Sequence, residues 1–122
     1  MTEAGRPHIV PVTFAIDGNY IYTAVDAKPK NEAARGGLQR LRNIAAEPRV
    51  ALLADRYDDD WATLWWVRAD GDASIVTDPH LAARPISLLI ARYPQYAGVA
   101  LPGPVIAIRV ERWSGWAAAP PR

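Results

Sequence analysis

The sequence has 122 residues, half of them hydrophobic, and a formal net charge of +1 at neutral pH. A single domain with a small core is expected over residues 1–122, and the near-neutral charge gives no indication of a nucleic-acid or membrane-surface partner. The absence of cysteine excludes disulfides and thiolate chemistry. No apolar run approaches the roughly 20 residues of a membrane span. The N-terminus has no signal-peptide pattern, so we expect a soluble cytoplasmic protein.

Two strand-like runs joined by a tight turn open the chain. Apolar residues alternate with small or polar ones over residues 10–16, which predicts a strand with two different faces. Asp17-Gly18-Asn19 is typical of a turn, and residues 20–26 are rich in β-branched and aromatic side chains. A loop with Lys28 and Lys30 follows. Two interpretations stay open: a sheet face that holds a planar ligand, with cations placed for its phosphate, or an ordinary hairpin and a solvated loop.

The middle of the chain predicts one helix and three strands. The helix is expected over residues 38–47, because Gly36-Gly37 interrupts any earlier helix and Pro48 ends this one. The apolar run that follows Pro48 predicts a strand buried on both faces. The strands are expected over residues 49–57, 61–70 and 73–77, separated by turns at residues 58–60 and 70–72.

The last third of the chain predicts a helix and a final strand. Asp78 is a good N-cap followed by proline at the first helical position, whereas Pro85 is expected to divide the helix into two short pieces that end near Tyr93. A loop over residues 94–104, a strand over residues 105–113 and a mobile tail from Ser114 complete the prediction. Mostly strands with one or two short helices indicate a mainly β (α+β) fold, a small antiparallel barrel.

Few residues indicate metal or acid–base chemistry. His8 and His80 are isolated from each other, and the acidic residues 55–60 resemble a solvated turn more than a cation site, so no metal site is expected. There is no nucleophile elbow, Walker A or G-x-G-x-x-G motif. Residues 28–49 contain six cations and only two acids. This excess of positive charge is consistent either with a phosphate-binding site or with a solvated helix face. Trp65 and Trp66 are adjacent in a predicted strand, so one of them should line a pocket, an interface or a ring-binding face.

Taken together, several segments resemble the split β-barrel flavin and deazaflavin proteins of the pyridoxamine 5′-phosphate oxidase-like superfamily. Within that superfamily, the sequence is similar to the branch of coenzyme F-420-dependent enzymes. Family members carry a helix and a strand before the G-R-P-H turn, where this sequence has residues 1–4, and their loop after K-P-K is richer in Arg and Lys. The resemblance is carried by residues 5–14 (GRPHIVPVTF), 22–30 (YTAVDAKPK), 41–61 (LRNIAAEPRVALLADRYDDDW), 64–71 (LWWVRADG), 92–96 (RYPQY) and 103–116 (GPVIAIRVERWSGW).

The resemblance implies a homodimer with a cofactor at each subunit interface. In that arrangement the ring of the cofactor lies against one strand, and the next strand forms the bottom of the ring site. Cations bind the phosphate group of the cofactor, and a tryptophan approaches from the partner subunit. The resemblance assigns Pro11, Val12 and Thr13 to the strand beside the ring, and Tyr22, Thr23 and Ala24 to the next strand. It assigns the phosphate to Lys28 and Lys30, with Arg40 or Asn43 as helpers. The tryptophan from the partner is Trp66 or Trp113.

Three hypotheses about function follow. The first is an oxidoreductase that uses reduced coenzyme F-420 to transfer a hydride to a small molecule, in which the cofactor carries the reactivity. The second is an FMN-dependent oxidase or reductase of the same fold. The third is a cofactor-binding or carrier protein without catalysis.

Overall fold

The computed structural model describes residues 5–25, 31–96 and 104–119, without the side chains of residues 31–38. Within these residues, five strands form one antiparallel sheet in the order β1-β2-β5-β4-β3. This architecture confirms the predicted mainly β (α+β) fold with two helices. The elements are β1 (Ala15–Asp17), β2 (Tyr20–Ala24), α1 (Asn31–Ala46), β3 (Arg49–Arg56), β4 (Trp65–Val76), α2 (Pro79–Arg92) and β5 (Val105–Ala117).

The first hairpin forms at the predicted turn, but its first strand is shorter than expected. Asp17 pairs with Tyr20 around Gly18 and Asn19. Gly18 has a φ of +60° and Asn19 does not have a positive φ, the pattern of a type II′ turn. Residues 6–14 belong to no strand of the described sheet, so the prediction of a strand from residue 10 was wrong. The backbone of Phe14 binds side chains near the end of α2 instead of a neighbouring strand.

Helix α1 begins earlier than predicted and runs through Gly36 and Gly37. Each glycine costs the helix only about 1 kcal/mol relative to alanine, which tertiary packing readily offsets. Leu41 and Ile44 pack against the main hydrophobic core of the sheet. The helix ends at Ala46, before Pro48, as predicted.

Strand β3 was correctly located but is not buried on both faces. Val50 and Leu52 are half-buried and pack against the core, whereas Leu53, on the opposite face, has a relative exposure of 62%. The strand lies at the edge of the sheet, where one face packs on the core and the other meets solvent.

Strand β4 is a single long strand where the sequence predicted two strands and a turn. Residues 70–72 remain paired with β3 and β5, with a bulge between Asp70 and Gly71. A Cβ atom at Gly71 would overlap with the carbonyl oxygen of Arg109, so the glycine admits a close approach of β5 rather than a reversal of the chain. The expected start of this strand at Trp61 was also wrong, because residues 61–63 form a 3₁₀ turn that the Asp60 side chain caps.

Strand β5 extends to Ala117, where the sequence predicted a mobile tail from Ser114. Ser114 pairs with Arg68, and Trp116 pairs with Trp66. The extra length of β5 is matched by the length of β4, so the two strands form the longest ladder of the described sheet.

Helix α2 is continuous through Pro85, contrary to the predicted division into two pieces. Ala82, Pro85 and Leu89 are buried and recur at three- and four-residue spacing, which places them on one helix face. Packing of that face keeps the helix intact although proline removes one backbone hydrogen bond. The Asp78 side chain accepts a hydrogen bond from the backbone N–H of His80 at 2.9 Å, which confirms the predicted N-cap.

The two helices lie on opposite faces of the sheet, and a hydrophobic cluster lies under each. Ile21, Ala69 and Ile108 belong to the cluster on the α1 face. Ala15 and Ala24 pack with Leu89 of α2 on the other face. In the part of the chain that the structure describes, neither helix has the length and apolarity required to cross a lipid bilayer.

Candidate functional site

A large cleft lies on the α1 face of the sheet and has a volume of about 1270 Å³. Its walls are formed by residues 7–12, the C-terminal part of α1 and the first half of β3, and Ile106 and Ile108 of β5 also line it. Most of the lining side chains are apolar, as is usual in pockets for small organic ligands.

A smaller cavity of about 240 Å³ shares four residues with this cleft. It lies where the segment before β1 meets the end of β2, and all of its lining residues except Tyr96 were assigned to the cofactor by the sequence resemblance. The structure therefore brings together half of the predicted site. The lining residues are Pro11, Val12, Thr13, Thr23, Ala24, Arg40 and Tyr96.

Thr23 contributes a buried hydroxyl group to both cavities. The residue is 4% exposed, and its Oγ1 atom has no hydrogen-bond partner among the described residues. A buried polar atom without a partner costs free energy, so such atoms often mark the position of a ligand or a water molecule. This hydroxyl is available to bind a polar atom of a ligand in the cavity.

Arg40 places a positive charge beside the same hydroxyl. Its side chain lines both cavities, and no carboxylate of the described residues lies within ion-pair distance of it. Arg49 donates two hydrogen bonds to Glu47, which also lines the larger cleft: Nε to Oε1 at 2.8 Å and Nη2 to Oε2 at 3.0 Å. These hydrogen bonds lower the pKa of Glu47 to about 2. Among the described residues, Arg40 is therefore a cation that an anionic ligand group in either cavity would meet.

Asn43 is buried and its amide is engaged within the protein. Its Oδ1 accepts a hydrogen bond from Gln39 Nε2 at 2.7 Å, and its Nδ2 lies 3.0 Å from His8 Nδ1. Because Nδ2 is a donor in this orientation, His8 Nδ1 is the acceptor. Asn43, predicted as a phosphate helper, thus ties residues 7–12 to α1 and lines the larger cleft.

Three further predicted site residues, Tyr22, Trp66 and Trp113, do not line either cavity. Tyr22 lies on the opposite face of the sheet from Thr23, where its ring stacks on Tyr20 with 6.0 Å between centroids. Burial, helped by the charge of Asp17, raises the pKa of the Tyr22 hydroxyl. Trp66 is half-buried, and Trp113 is 46% exposed. Lys28 and Lys30 lie outside the described residues.

Tyr96, Tyr93 and Arg92 were not predicted as site residues. The Tyr96 hydroxyl lies 2.6 Å from Thr13 Oγ1, and the Tyr93 hydroxyl accepts a hydrogen bond from the Phe14 backbone N–H at 3.1 Å. Roughly eighty residues separate the partners along the chain, so no local pattern shows the contact. The described residues contain no group of three or more His, Cys, Asp or Glu side chains able to bind a metal ion.

The five-stranded antiparallel sheet, with a helix on each face, has the fold of the split β-barrel class. The chain belongs to the pyridoxamine 5′-phosphate oxidase family, whose model matches residues 1–117. This match confirms the family that the sequence resembles.

Solved structures share the fold at low sequence identity. A conserved hypothetical protein from Mycobacterium tuberculosis is 23% identical over 94% of this chain and 71% of its own, with a TM-score of 0.67. A FAD-binding protein from Mesorhizobium loti is 19% identical, with 91% and 77% of the two chains covered and a TM-score of 0.63. A heme-binding protein from Mycobacterium smegmatis is 19% identical, with 97% and 50% covered and a TM-score of 0.62. No curated protein matches this chain.

Proposed function

We propose that this protein binds a flavin-type cofactor in the cleft, with the ring along residues 11–13 and an anionic group beside Arg40. The observation that carries the proposal is the small cavity itself, in which the buried hydroxyl of Thr23 and the guanidinium group of Arg40 line the same space. Membership of the pyridoxamine 5′-phosphate oxidase family supports it. So does the similarity in fold to a FAD-binding protein.

The kind of tricyclic cofactor is a finer part of the proposal. FMN or FAD is the first candidate, because a neighbour in fold is a FAD-binding protein. Coenzyme F-420 is the second candidate, because residues 41–61, 64–71 and 92–96 resemble the F-420-dependent branch. The two kinds of cofactor share a planar ring system and a phosphate group, and the lining residues of the cavity suit both.

A bound flavin or deazaflavin would supply hydride transfer to or from a small-molecule substrate, which makes an oxidoreductase the activity that we propose. The chain itself contributes position and shielding. Pro11 and Val12 provide an apolar wall, Thr23 offers a hydrogen bond, and Arg40 neutralises negative charge. We further propose that a second copy of the chain completes the site with Trp66 or Trp113.

The test is to titrate the purified protein with FMN, FAD and coenzyme F-420 in separate experiments and to measure binding by the change in tryptophan fluorescence. Saturable binding of one of them at micromolar concentrations is expected. Arg40→Gln should weaken this binding about 10-fold or more, since hydrogen bonds to charged groups contribute about 1.5–3 kcal/mol. Arg42→Gln is the matched control, because Arg42 lies on the same helix, is exposed and lines neither cavity.

The outcomes separate the candidates. Saturation by FMN or FAD supports a flavoprotein, and saturation by the deazaflavin alone supports the F-420 branch. Folded protein that binds none of the three would contradict the proposal. Equal effects of Arg40→Gln and Arg42→Gln would remove Arg40 from the site.

A variant of Lys28 and Lys30, which follow β2 in the sequence, tests the phosphate part of the proposal. The sequence resemblance assigns the cofactor phosphate to Lys28 and Lys30, so the double variant Lys28→Ala/Lys30→Ala should lose most of the affinity. Binding by this variant at the parent affinity would contradict the phosphate assignment and leave the ring site unaffected.

A further inference from the structure

We propose that the turn at the C-terminal end of α2, residues 92–96, determines cofactor affinity by positioning Thr13 and Phe14. This inference rests on the proposed function, since residues 11–13 are the wall against which the ring would lie. Arg92, Tyr93 and Tyr96 are positioning residues in this proposal: they act through the segment before β1.

Phe14 shows why the turn is needed. Residues 6–14 belong to no strand of the described sheet, so the strand ladders do not include their backbone groups. At Phe14, side chains of the turn form the hydrogen bonds to the backbone that a neighbouring strand would otherwise form. The Phe14 N–H donates to the Tyr93 hydroxyl at 3.1 Å, and Arg92 Nη1 donates to the Phe14 carbonyl oxygen at 2.9 Å. Both backbone groups of this residue are therefore bound by side chains of the turn at the C-terminal end of α2.

Arg92 also holds the side chain of Phe14. Its guanidinium carbon lies 4.2 Å from the centroid of the Phe14 ring and 5.3 Å from that of Tyr93. A guanidinium group within about 6 Å of a ring centroid is attracted by the ring face. The side chain of Phe14 packs at the same time against the core on the α1 face of the sheet.

Tyr96 extends this contact into the cavity. Its hydroxyl lies 2.6 Å from Thr13 Oγ1, and both residues line the small cavity beside Thr23 and Arg40. The hydrogen bond fixes the side chain of Thr13, and with it the wall on which the ring would lie. Side chains of a binding site that are already held in place lose less entropy when the ligand binds.

The turn itself is firmly attached to the fold. Leu89, one turn earlier in α2, is fully buried between Ala15 and Ala24, and the Tyr93 N–H donates to its carbonyl oxygen at 2.9 Å. The rings of Tyr93 and Tyr96 pack edge to face with 5.9 Å between centroids. Because this anchor lies on the α2 face of the sheet, the turn links the core of that face to the cofactor wall.

The experiment compares Tyr96→Phe and Tyr93→Phe with Tyr57→Phe, a matched control in which the tyrosine is 78% exposed. The dissociation constant for FMN, or for whichever tricyclic cofactor the parent protein binds, is measured well below the melting temperature of each variant. Tyr96→Phe and Tyr93→Phe should each weaken binding by about 2- to 10-fold, the usual effect of one hydrogen bond. Tyr57→Phe should leave the constant unchanged.

Two further measurements distinguish positioning from a general loss of stability. In the background Thr13→Val, the Tyr96→Phe substitution should have little additional effect on binding, because the hydrogen bond is already absent. Without cofactor, hydrogen exchange at the Phe14 amide should accelerate in Tyr93→Phe and not in Tyr57→Phe.

Tyrosine variants that bind the cofactor as tightly as the parent would overturn this inference and leave the proposed function in place. The same holds if Tyr96→Phe and Thr13→Val have additive effects on binding. A parent protein that binds none of the cofactors would overturn both proposals.

Discussion

The hydroxyl oxygen of Thr23 is buried and has no hydrogen-bond partner among the described residues. Replacing Thr23 with valine keeps the shape of the side chain and removes this atom. We expect the free protein to become more stable, by about 1 kcal/mol, because an unpaired buried polar group is a net cost to folding. Cofactor binding should instead weaken by about 2- to 10-fold, because the ligand loses its hydrogen bond. Thermal unfolding and a cofactor titration measure the two effects.

Higher stability of the free protein together with weaker cofactor binding is expected only if the Thr23 hydroxyl binds the ligand. Thr77→Val, at an exposed position outside the sheet, is the control and should change neither quantity. If Thr23→Val leaves cofactor affinity unchanged, the hydroxyl has no part in binding. If it destabilises the free protein, the hydroxyl has a structural partner, such as a buried water molecule.

The ion pair between Glu47 and Arg49 predicts a dependence of stability on pH. Hydrogen bonds from Arg49 lower the pKa of Glu47 from 4.5 to about 2. The folded state therefore binds a proton less readily than the unfolded state, so the pair stabilises the fold above pH 4.5 and loses this effect as the pH falls towards 2. Glu47→Gln should thus reduce the loss of stability over this interval. Both groups are accessible to solvent, so the effect is small.

Urea unfolding at a series of pH values between 2 and 6 checks this expectation. Asp59→Asn, at an exposed turn position with no ion pair in the described part of the chain, is the control. A Glu47→Gln protein whose stability falls with acid as steeply as that of the parent would contradict the assignment of the low pKa to this pair.

The secondary-structure elements show where reasoning from sequence succeeded. Asp78 and Pro79 are start signals that depend only on neighbouring residues, and α2 begins there. The Gly18 turn depends on local backbone preference and was correctly located. The errors at Gly36-Gly37, Gly71 and Pro85 have a common cause. Each residue weakens a helix or strand locally, and long-range packing kept the element continuous.

Gly71 gives this argument a quantitative test. A side chain at this position would overlap with the Arg109 carbonyl oxygen, a backbone atom that cannot move without shifting β5. We expect Gly71→Ala to destabilise the protein by about 1–3 kcal/mol or more, as overpacking does elsewhere. Gly115→Ala is the matched comparison on β5, since its Cβ would lie 3.0 Å from the Trp66 carbonyl oxygen and requires a smaller shift.

Urea unfolding of the two variants tests whether Gly71 is needed for the close approach of β5 to β4. A larger loss of stability for Gly71→Ala than for Gly115→Ala supports the close approach of β4 and β5. Equal stability of Gly71→Ala and the parent would mean that the strands separate at the bulge without cost.

Across the whole molecule, the grouping of residues around the small cavity was predicted in part. Pro11, Val12 and Thr13 lie beside Thr23 and Arg40 as the family resemblance implied. This grouping could be inferred because it follows from the order of segments in a known fold. Tyr96 was missed because its contact with Thr13 depends on how α2 packs across the sheet. A period or motif in the sequence does not encode that packing.

An apolar surface lies on one face of β4 and β5, at the end where Trp65 pairs with Ala117. Trp65, Val67 and Trp113 share one face of the sheet by their register, and they are 39%, 40% and 46% exposed. A contiguous apolar patch on a protein surface often marks an association site. We expect a homodimer formed through this face, with a mass in light scattering twice that of one chain. Trp113→Glu should shift the protein to monomer, because association would bury an unpaired carboxylate.

Leu81→Glu provides the control, since Leu81 is an equally apolar side chain, 67% exposed, on α2. It should leave the dimer intact. If the second copy completes the cofactor site, Trp113→Glu also lowers cofactor affinity, and the affinity of the parent falls on dilution below the dimer dissociation constant. A parent chain that is monomeric at micromolar concentrations and still binds the cofactor would show that one chain suffices. In that case the exposed tryptophans serve a different contact.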